Sequence, residues 1–413
     1  MVQSPSLVQQ RLRGWQAFAL LLGVLGELFL AGDWYGFAAV MPFVMKSLTL
    51  TPGEAGFAQG AFAITYAVGM VVWSPLGRKW PARTLFAVGL IGAGVAMVLQ
   101  ASVQSYAALI AMRLVIGFFD AAVWVGTMKL IVGWFPVKRH GLTMSVLLAA
   151  FSLAITLDFA IGIPVSATYG WRVFFEWMGV ATCVVGLFGA LTIKGSPRDL
   201  GIRDFQWDDH ASTPDHAAAQ SAQSSWSVLR SKWVYVGGLA IFGDMFAISA
   251  VTTWVVPAFI EIQQMPVASA AVIGTAMGLA QVIVLLIGGW LSDRMARTTM
   301  LKVGAAFCVV SALSFVGATL THLGWPAMLA IAAFSGVVVL SGGAIFSLVS
   351  EKYGESLAAT AIGFAELGGI VSTFVAPALM GAVIGATHSF TLAFTLFAAV
   401  EIAILAVLAF VAR

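Results

Sequence analysis

Charge is scarce in this chain. Of its 413 residues, 9% are Asp, Glu, Lys or Arg and 60% are hydrophobic, whereas a soluble domain carries roughly a quarter charged residues. A chain this apolar cannot keep its surface in water, so most of it belongs in lipid. The net charge of +3 is small and gives no sign of the basic excess that binds nucleic acid. Asparagine is missing altogether, which leaves glutamines such as Gln59 and Gln281 as the only side-chain amides. The two cysteines, Cys183 and Cys308, both lie inside apolar runs, which excludes a disulfide framework or a metal-ligand set. No Walker loop, HExxH or His/Cys cluster is present. ATP hydrolysis and metal catalysis are therefore not expected, no cofactor is implied, and the chain does not read as an enzyme.

Apolar segments of membrane-crossing length are abundant. About 20 apolar residues cross a bilayer core as a helix, and the sequence predicts twelve such spans: 15–41, 57–77, 84–101, 107–131, 141–163, 173–193, 233–258, 267–291, 300–320, 326–350, 358–384 and 390–411. The breaks are charged or rich in Gly and Pro, as at Thr51-Pro52-Gly53 and Gly170-Trp171-Arg172. The first run is too long for a cleaved signal and contains Glu27 and Asp33, so it reads as span 1. With the N-terminus inside, the inner segments collect basic residues from Arg11 and Arg13 to Lys352 and Arg413, and the outer segments keep only Lys46 and Arg172. The positive-inside rule then puts both termini in the cytoplasm, with the cell's inner (cytoplasmic) membrane as the expected location. The one long loop, 194–232, holds Pro197, Asp208, Asp209 and Pro214. It reads as a cytoplasmic linker between an N-terminal six-helix bundle (1–193) and a C-terminal one (233–413).

Among the ionisable residues inside these spans, six stand out: Asp33, Arg113, Asp120, Asp158, Asp244 and Glu366. A charge in the hydrocarbon core is costly and usually faces a partner or a watery path, so these six are the first candidates for a transport site. Arg113, Gly117, Asp120 and Trp124 share one face of span 4, but Arg113 and Asp120 are separated by about 10 Å of helix and cannot pair directly. Asp158 lies at a depth similar to that of Arg113, so an Arg113–Asp158 salt bridge is one expectation. A substrate role for Arg113 is the other, and the two are compatible. Asp33 and Asp120, buried carboxyls that can load and release protons, are the proton-coupling candidates. Asp244 in span 7 is the second-half counterpart of Asp33, and Glu366 sits in a glycine-rich stretch of span 11. Glu27 lies on a different face of span 1 from Asp33. Glu401 is the only charge in span 12, and Lys129 is close enough to the inner surface to snorkel. Trp34, Trp124 and Trp254 lie deep enough to pack against a ligand, while most other tryptophans read as an interface belt.

The local motifs carry a family resemblance. Gly289 to Arg297 reads GWLSDRMAR, and Ser74 to Arg83, at the corresponding place in the first half, reads SPLGRKWPAR. Six spans plus six, with these two loops, resemble the major facilitator superfamily, whose loop signature is G-x-L-x-D-R-x-x-R. Arg78 stands where the first copy would hold its aspartate. The run RLVIGFFD (Arg113 to Asp120) followed by WFPVKR (Trp134 to Arg139) is similar to the anion:cation symporter branch, which shows R-x-x-x-G-x-x-E and then W-F-P-x-x-x-R. That branch tends to carry Asp-Arg in span 1, and this chain has Asp33-Trp34.

The resemblance implies two pseudo-symmetric six-helix bundles, all α, that rock about a midplane site by alternating access. It implies a monomer moving a small organic solute, with protons as the coupling ion. Organic-anion/proton symport is the first expectation, with Arg113, Asp33, Trp124, Asp244 and Glu366 at the substrate. Acids outnumber bases among these residues, so a proton-coupled exporter of a cationic or drug-like solute is the rival. Asp293, Arg294 and Arg297 are expected to latch one conformation.

Overall fold

The computed structural model describes residues 5–201, 225–292 and 294–412. Among them are twelve helices long and apolar enough to cross a membrane: α1 (Leu12–Leu48), α2 (Pro52–Lys79), α3 (Ala82–Gln100), α4 (Tyr106–Trp134), α5 (Leu142–Tyr169), α6 (Trp171–Thr192), α7 (Lys232–Ile262), α8 (Ser269–Ser292), α9 (Arg297–Leu320), α10 (Trp325–Tyr353), α11 (Thr360–Thr387) and α12 (Phe390–Val411). They match the twelve predicted spans. Local chemistry sets their ends. Thr51 caps α2 in a reciprocal box with Glu54, the Thr51 N–H donating to Glu54 Oε2 at 2.8 Å and the Glu54 N–H to Thr51 Oγ1 at 3.2 Å, with Pro52 opening the helix. At the other end of α2, Lys129 Nζ donates at 2.7 Å to the carbonyls of Gly77 and Trp80. Lys129 is therefore a C-terminal cap and not a snorkelling charge. Gly170, at φ 91°, makes the reversal between α5 and α6 that an L side chain would resist. α10 and α11 are joined by continuous helical backbone that doubles back, since a side chain on Gly237 would meet both Val349 and Ala365.

Small residues set the packing, because in lipid close backbone approach replaces the hydrophobic effect as the force between helices. In the first half Gly117 of α4 lies against the Phe62 carbonyl of α2, and Gly94 of α3 against Gly179 of α6. The second half repeats both pairings: Gly288 of α8 lies against the Leu340 carbonyl of α10, and Phe315 of α9 stacks on Phe394 of α12 at 5.3 Å. The halves meet along α2 against α11, α5 against α8, and α1 against α7. These contacts are themselves related by the pseudo-symmetry that exchanges the bundles.

The two ends of the molecule differ. One end, the basic face, carries Lys79, Arg83, Lys194 and Arg297, and the opposite face carries Lys46 and Arg172. Toward the opposite face the halves are in backbone contact. A Cβ on Gly60 would sit 2.7 Å from the Phe374 carbonyl, Gly56 abuts Pro377, and Gly278 meets the Thr156 backbone at 2.7 Å. Tyr35 Oη and Ser249 Oγ lie 3.3 Å apart across the α1–α7 seam. Nearer the basic face, Ala63, Tyr66 and Met70 of α2 face Glu366, Gly369 and Thr373 of α11 across a cavity. The molecule is closed on the opposite face and hollow beneath.

Candidate transport site

The hollow lies between the two bundles at mid-membrane. Its main chamber, about 130 Å³, is walled by Glu27, Leu30 and Trp34 of α1, Tyr66 of α2, Trp124 of α4, Phe151 of α5, Phe346 of α10 and Glu366 of α11, with Ile241 and Met245 of α7 as floor. An annex of about 60 Å³ shares Phe151, Ile241, Met245 and Phe346 and ends at Asp244. Among the described lining residues there are three carboxyls and no Lys or Arg. Glu27 is 4% exposed and its Oε2 has no hydrogen-bond partner. Asp244 is tied down, since Ser341 Oγ lies 2.9 Å from both of its carboxylate oxygens and donates to them. The remaining walls are aromatic. Trp34 packs edge-on against Tyr66 at 4.8 Å and against Phe151 at 6.1 Å.

Arg113 and the acids around it occupy a separate layer behind α1, inside the first bundle. Arg113 is completely buried. Its Nε donates to the Ala58 carbonyl at 3.1 Å and its Nη1 to that of Asp33 at 2.8 Å. Its Nη2 donates to the carbonyls of Trp34 at 3.1 Å and Gln59 at 3.0 Å. The Phe62 and Phe37 rings flank the guanidinium at 4.9 and 5.2 Å. The guanidinium thus pins α4 to the backbones of α1 and α2. The expected Arg113–Asp158 salt bridge is not formed: four main-chain oxygens take the donors, and Asp158 lies against the glycine face of α1 at Gly32 and Gly36. Arg113 and Asp33 also do not line the chamber, contrary to the substrate contacts expected of them.

Asp33 and Asp120 are both 0% exposed. Thr182 Oγ1 donates to Asp33 Oδ1 at 3.4 Å, the Trp34 indole N–H donates to Asp120 Oδ2 at 3.1 Å, and Asp33 Oδ2 and Asp120 Oδ1 have no partner. Arg113 is the basic group whose charge acts on both acids. One guanidinium among three carboxyls in a dry bundle cannot balance them all if every acid is ionised. Trp34 joins the two layers, with its ring in the chamber wall and its N–H on Asp120.

Of the residues singled out in the sequence, Trp34, Trp124, Asp244 and Glu366 reach the hollow, and Asp33, Arg113, Asp120 and Asp158 do not. Glu27 and Tyr66 are the lining residues that the sequence reading undervalued or missed. Glu27 lies on a different face of α1 from Asp33, and it is that face which meets the chamber. Glu401, the only charge in span 12, is 0% exposed, lies near Gly243, and has both oxygens unpartnered among the described residues. Trp254 donates to the Pro377 carbonyl at 3.2 Å and braces α7 against α11 away from the chamber. Trp73 and Trp134 leave the interface belt to donate to the carbonyls of Phe118 at 2.8 Å and Lys194 at 2.6 Å. In the latch region Asp293 lies outside the described residues. Arg294 stays on its own helix end, 3.9 Å over the Trp290 ring. Arg297 reaches α10, with Nε donating to Glu351 Oε1 at 3.0 Å.

Two pseudo-symmetric bundles around a midplane hollow, closed at one end, define a multi-pass secondary transporter and not an enzyme. The sequence profile of the Major Facilitator Superfamily matches residues 23–369, and the chain belongs to that superfamily. The chain is 24% identical to the Cupriavidus necator protein named "Probable sulfoacetate transporter SauU", over 91% of this chain and 89% of that one. It is 22% identical to the hexuronate transporter of Bacillus subtilis, over 94% of each. Among solved structures, a bacterial homologue of the human lysosomal transporter Spinster, inward-facing and occupied, superposes with a TM-score of 0.74 at 13% identity, over 96% of this chain and 97% of that one.

Proposed function

We propose that this transporter exchanges protons for a cationic, aromatic-bodied organic solute, in the direction of export. One observation carries the reading: Glu27, Glu366 and Asp244 line the hollow, and among the described residues no basic side chain lines it with them. Carboxyls among Trp34, Tyr66 and Trp124 suit a cation twice over, by ion pairing and by the negative faces of the rings. Protons compete for the same carboxyls, and that competition couples the two flows. Asp33 and Asp120, reached through the Trp34 indole, are the proton store behind the chamber wall.

Organic-anion/proton symport is the second reading, favoured by the anionic substrates in the names of the two relatives. It requires Arg113 to leave four carbonyl oxygens, or a carboxylate to bind without a cation. The substitution of Trp for Arg after Asp33, relative to the anion:cation symporter pattern, supports the first reading.

The excess of Lys and Arg on the basic face supports placing that face, both chain ends and the bundle-joining segment 194–232 in the cytoplasm. The hollow then opens inward. A cysteine in place of Lys46 should react with an impermeant maleimide from outside intact cells, and one in place of Arg83 only after lysis. The reverse pattern inverts the topology.

Thermal stabilisation of the purified full chain against matched panels of organic cations and carboxylates, at mildly acidic and neutral pH, separates the readings, because a ligand raises stability with its concentration over its Kd. Stabilisation by aromatic amines, stronger at the higher pH and lost in Glu366→Gln, supports exchange. Stabilisation by carboxylates, stronger at the lower pH, overturns it in favour of symport.

A further inference from the structure

A second cavity, of about 240 Å³, lies on the flank of the first bundle between α1, α5 and α6 and shares no lining residue with the chamber or its annex. Its walls are Leu28, Phe29, Leu157, Trp177, Met178 and their neighbours, and among its described lining residues the one carboxyl is Asp158. Asp158 is 2% exposed, and its Oδ2 has no hydrogen-bond partner. It opens a π-helical turn, Asp158–Gly162, that interrupts α5; such turns are frequent at functional sites. Its Oδ1 lies against the bare face of α1, where side chains on Gly32 and Gly36 would come within 3.5 and 3.6 Å. The rim faces outward: Leu157, Ile161 and Trp177 are 37%, 50% and 55% exposed on membrane-spanning helices, so the mouth opens to hydrocarbon. Tyr169 packs on Trp177 at 6.0 Å beside it.

An acid with a free oxygen in an apolar cavity facing lipid is costly unless a partner neutralises it. The complement is a single cationic head on an apolar body, which gains a charge-assisted bond at one end and apolar burial along the other. An anion or a polyol meets nothing here that would hold it. We propose that the α1–α5–α6 cavity binds amphipathic alkylammonium compounds that reach it through the bilayer, with the ammonium on Asp158 and the chain among Leu28, Phe29, Trp177 and Met178. Asp33 is the acid that faces Asp158 from α1. Occupancy therefore places a positive charge next to a member of the Asp33–Asp120 pair, and the site is poised to tune proton coupling from the lipid side. It stands whichever sign of solute the chamber carries.

The test uses the full chain in zwitterionic nanodiscs on a Glu27→Gln/Glu366→Gln background, which removes the chamber's main acids. The probes are n-decylammonium, n-decanol and n-decyl sulfate. The expected result is a rise in Tm of about 3 °C or more with saturating n-decylammonium alone. The rise should vanish in Asp158→Asn and, separately, in Ala181→Phe, which fills the cavity from α6 without altering the acid. An equal rise with n-decanol makes the cavity a mere acyl groove and overturns the proposal. So does no rise on the background, or a rise that survives Ala181→Phe. The last criterion holds even if Asp158→Asn fails to fold.

Discussion

Single residues matter here because unpaired polar groups have no water to turn to. Arg113 satisfies four carbonyl oxygens on two other helices, so it acts first as a cross-brace. Arg113→Ala should lower unfolding stability by about 3–5 kcal/mol, because it orphans those oxygens and removes the guanidinium beside Asp33 and Asp120. Arg113→Lys keeps the charge but offers three donors from one point, and should fall between. Thermal melts of detergent-purified protein order the three variants, and equal melting points would remove the brace. Trp34→Phe keeps a ring in the chamber wall but deletes the indole N–H that donates to Asp120 Oδ2. Proton-driven transport should drop at least tenfold while substrate counterflow stays within a factor of a few. A parallel loss of both would make Trp34 a substrate contact only.

Helices meet in this protein where side chains are missing. The α2–α11 seam closes the opposite face through Gly56, Gly60 and Gly381, each within backbone contact of the other bundle. No rotamer change makes room there, because the neighbour is a carbonyl. Gly60→Val should therefore part the seam and shift the population toward the state open on that face. Cysteine accessibility at Thr373, below the seam, should rise severalfold from the opposite side. Unchanged accessibility would show that closure rests elsewhere, with α5–α8 and its Gly278–Thr156 contact as the next candidate.

For the whole molecule, the balance between the two open states rests on small differences at the basic face. Arg297 joins the start of α9 to Glu351 at the end of α10, and Arg78 stands where the first half would hold an acid. Glu351 is 54% exposed, so Glu351→Gln should cost under about 1 kcal/mol of stability. It should nonetheless bias the transporter away from the state in which the contact is made, seen as slower labelling of Phe346→Cys from the basic face with an almost unchanged Tm. A large Tm loss with unaltered labelling would make the pair structural.

The twelve helices, their breaks and the six-plus-six layout were legible in the chain because lipid imposes a length and a polarity that composition alone records. The acids worth inspecting were legible for the same reason, since a charge in an apolar run stands out. Their placement was not. Asp33 and Glu27 sit on one helix six residues apart, and only the packing of α4, α5 and α6 against α1 decides that one is sealed behind the wall and the other faces the hollow. Arg113 looked like an anion's anchor until four carbonyls from two distant turns converged on it. Asp158 looked like its partner until a π-helical turn and two glycines set it against a different helix. The sequence determined that this protein spans a membrane and moves a solute through it. The tertiary structure decided which of its buried carboxyls line the hollow, because helix rotation, and not spacing along the chain, decides which side of a wall a carboxyl is on.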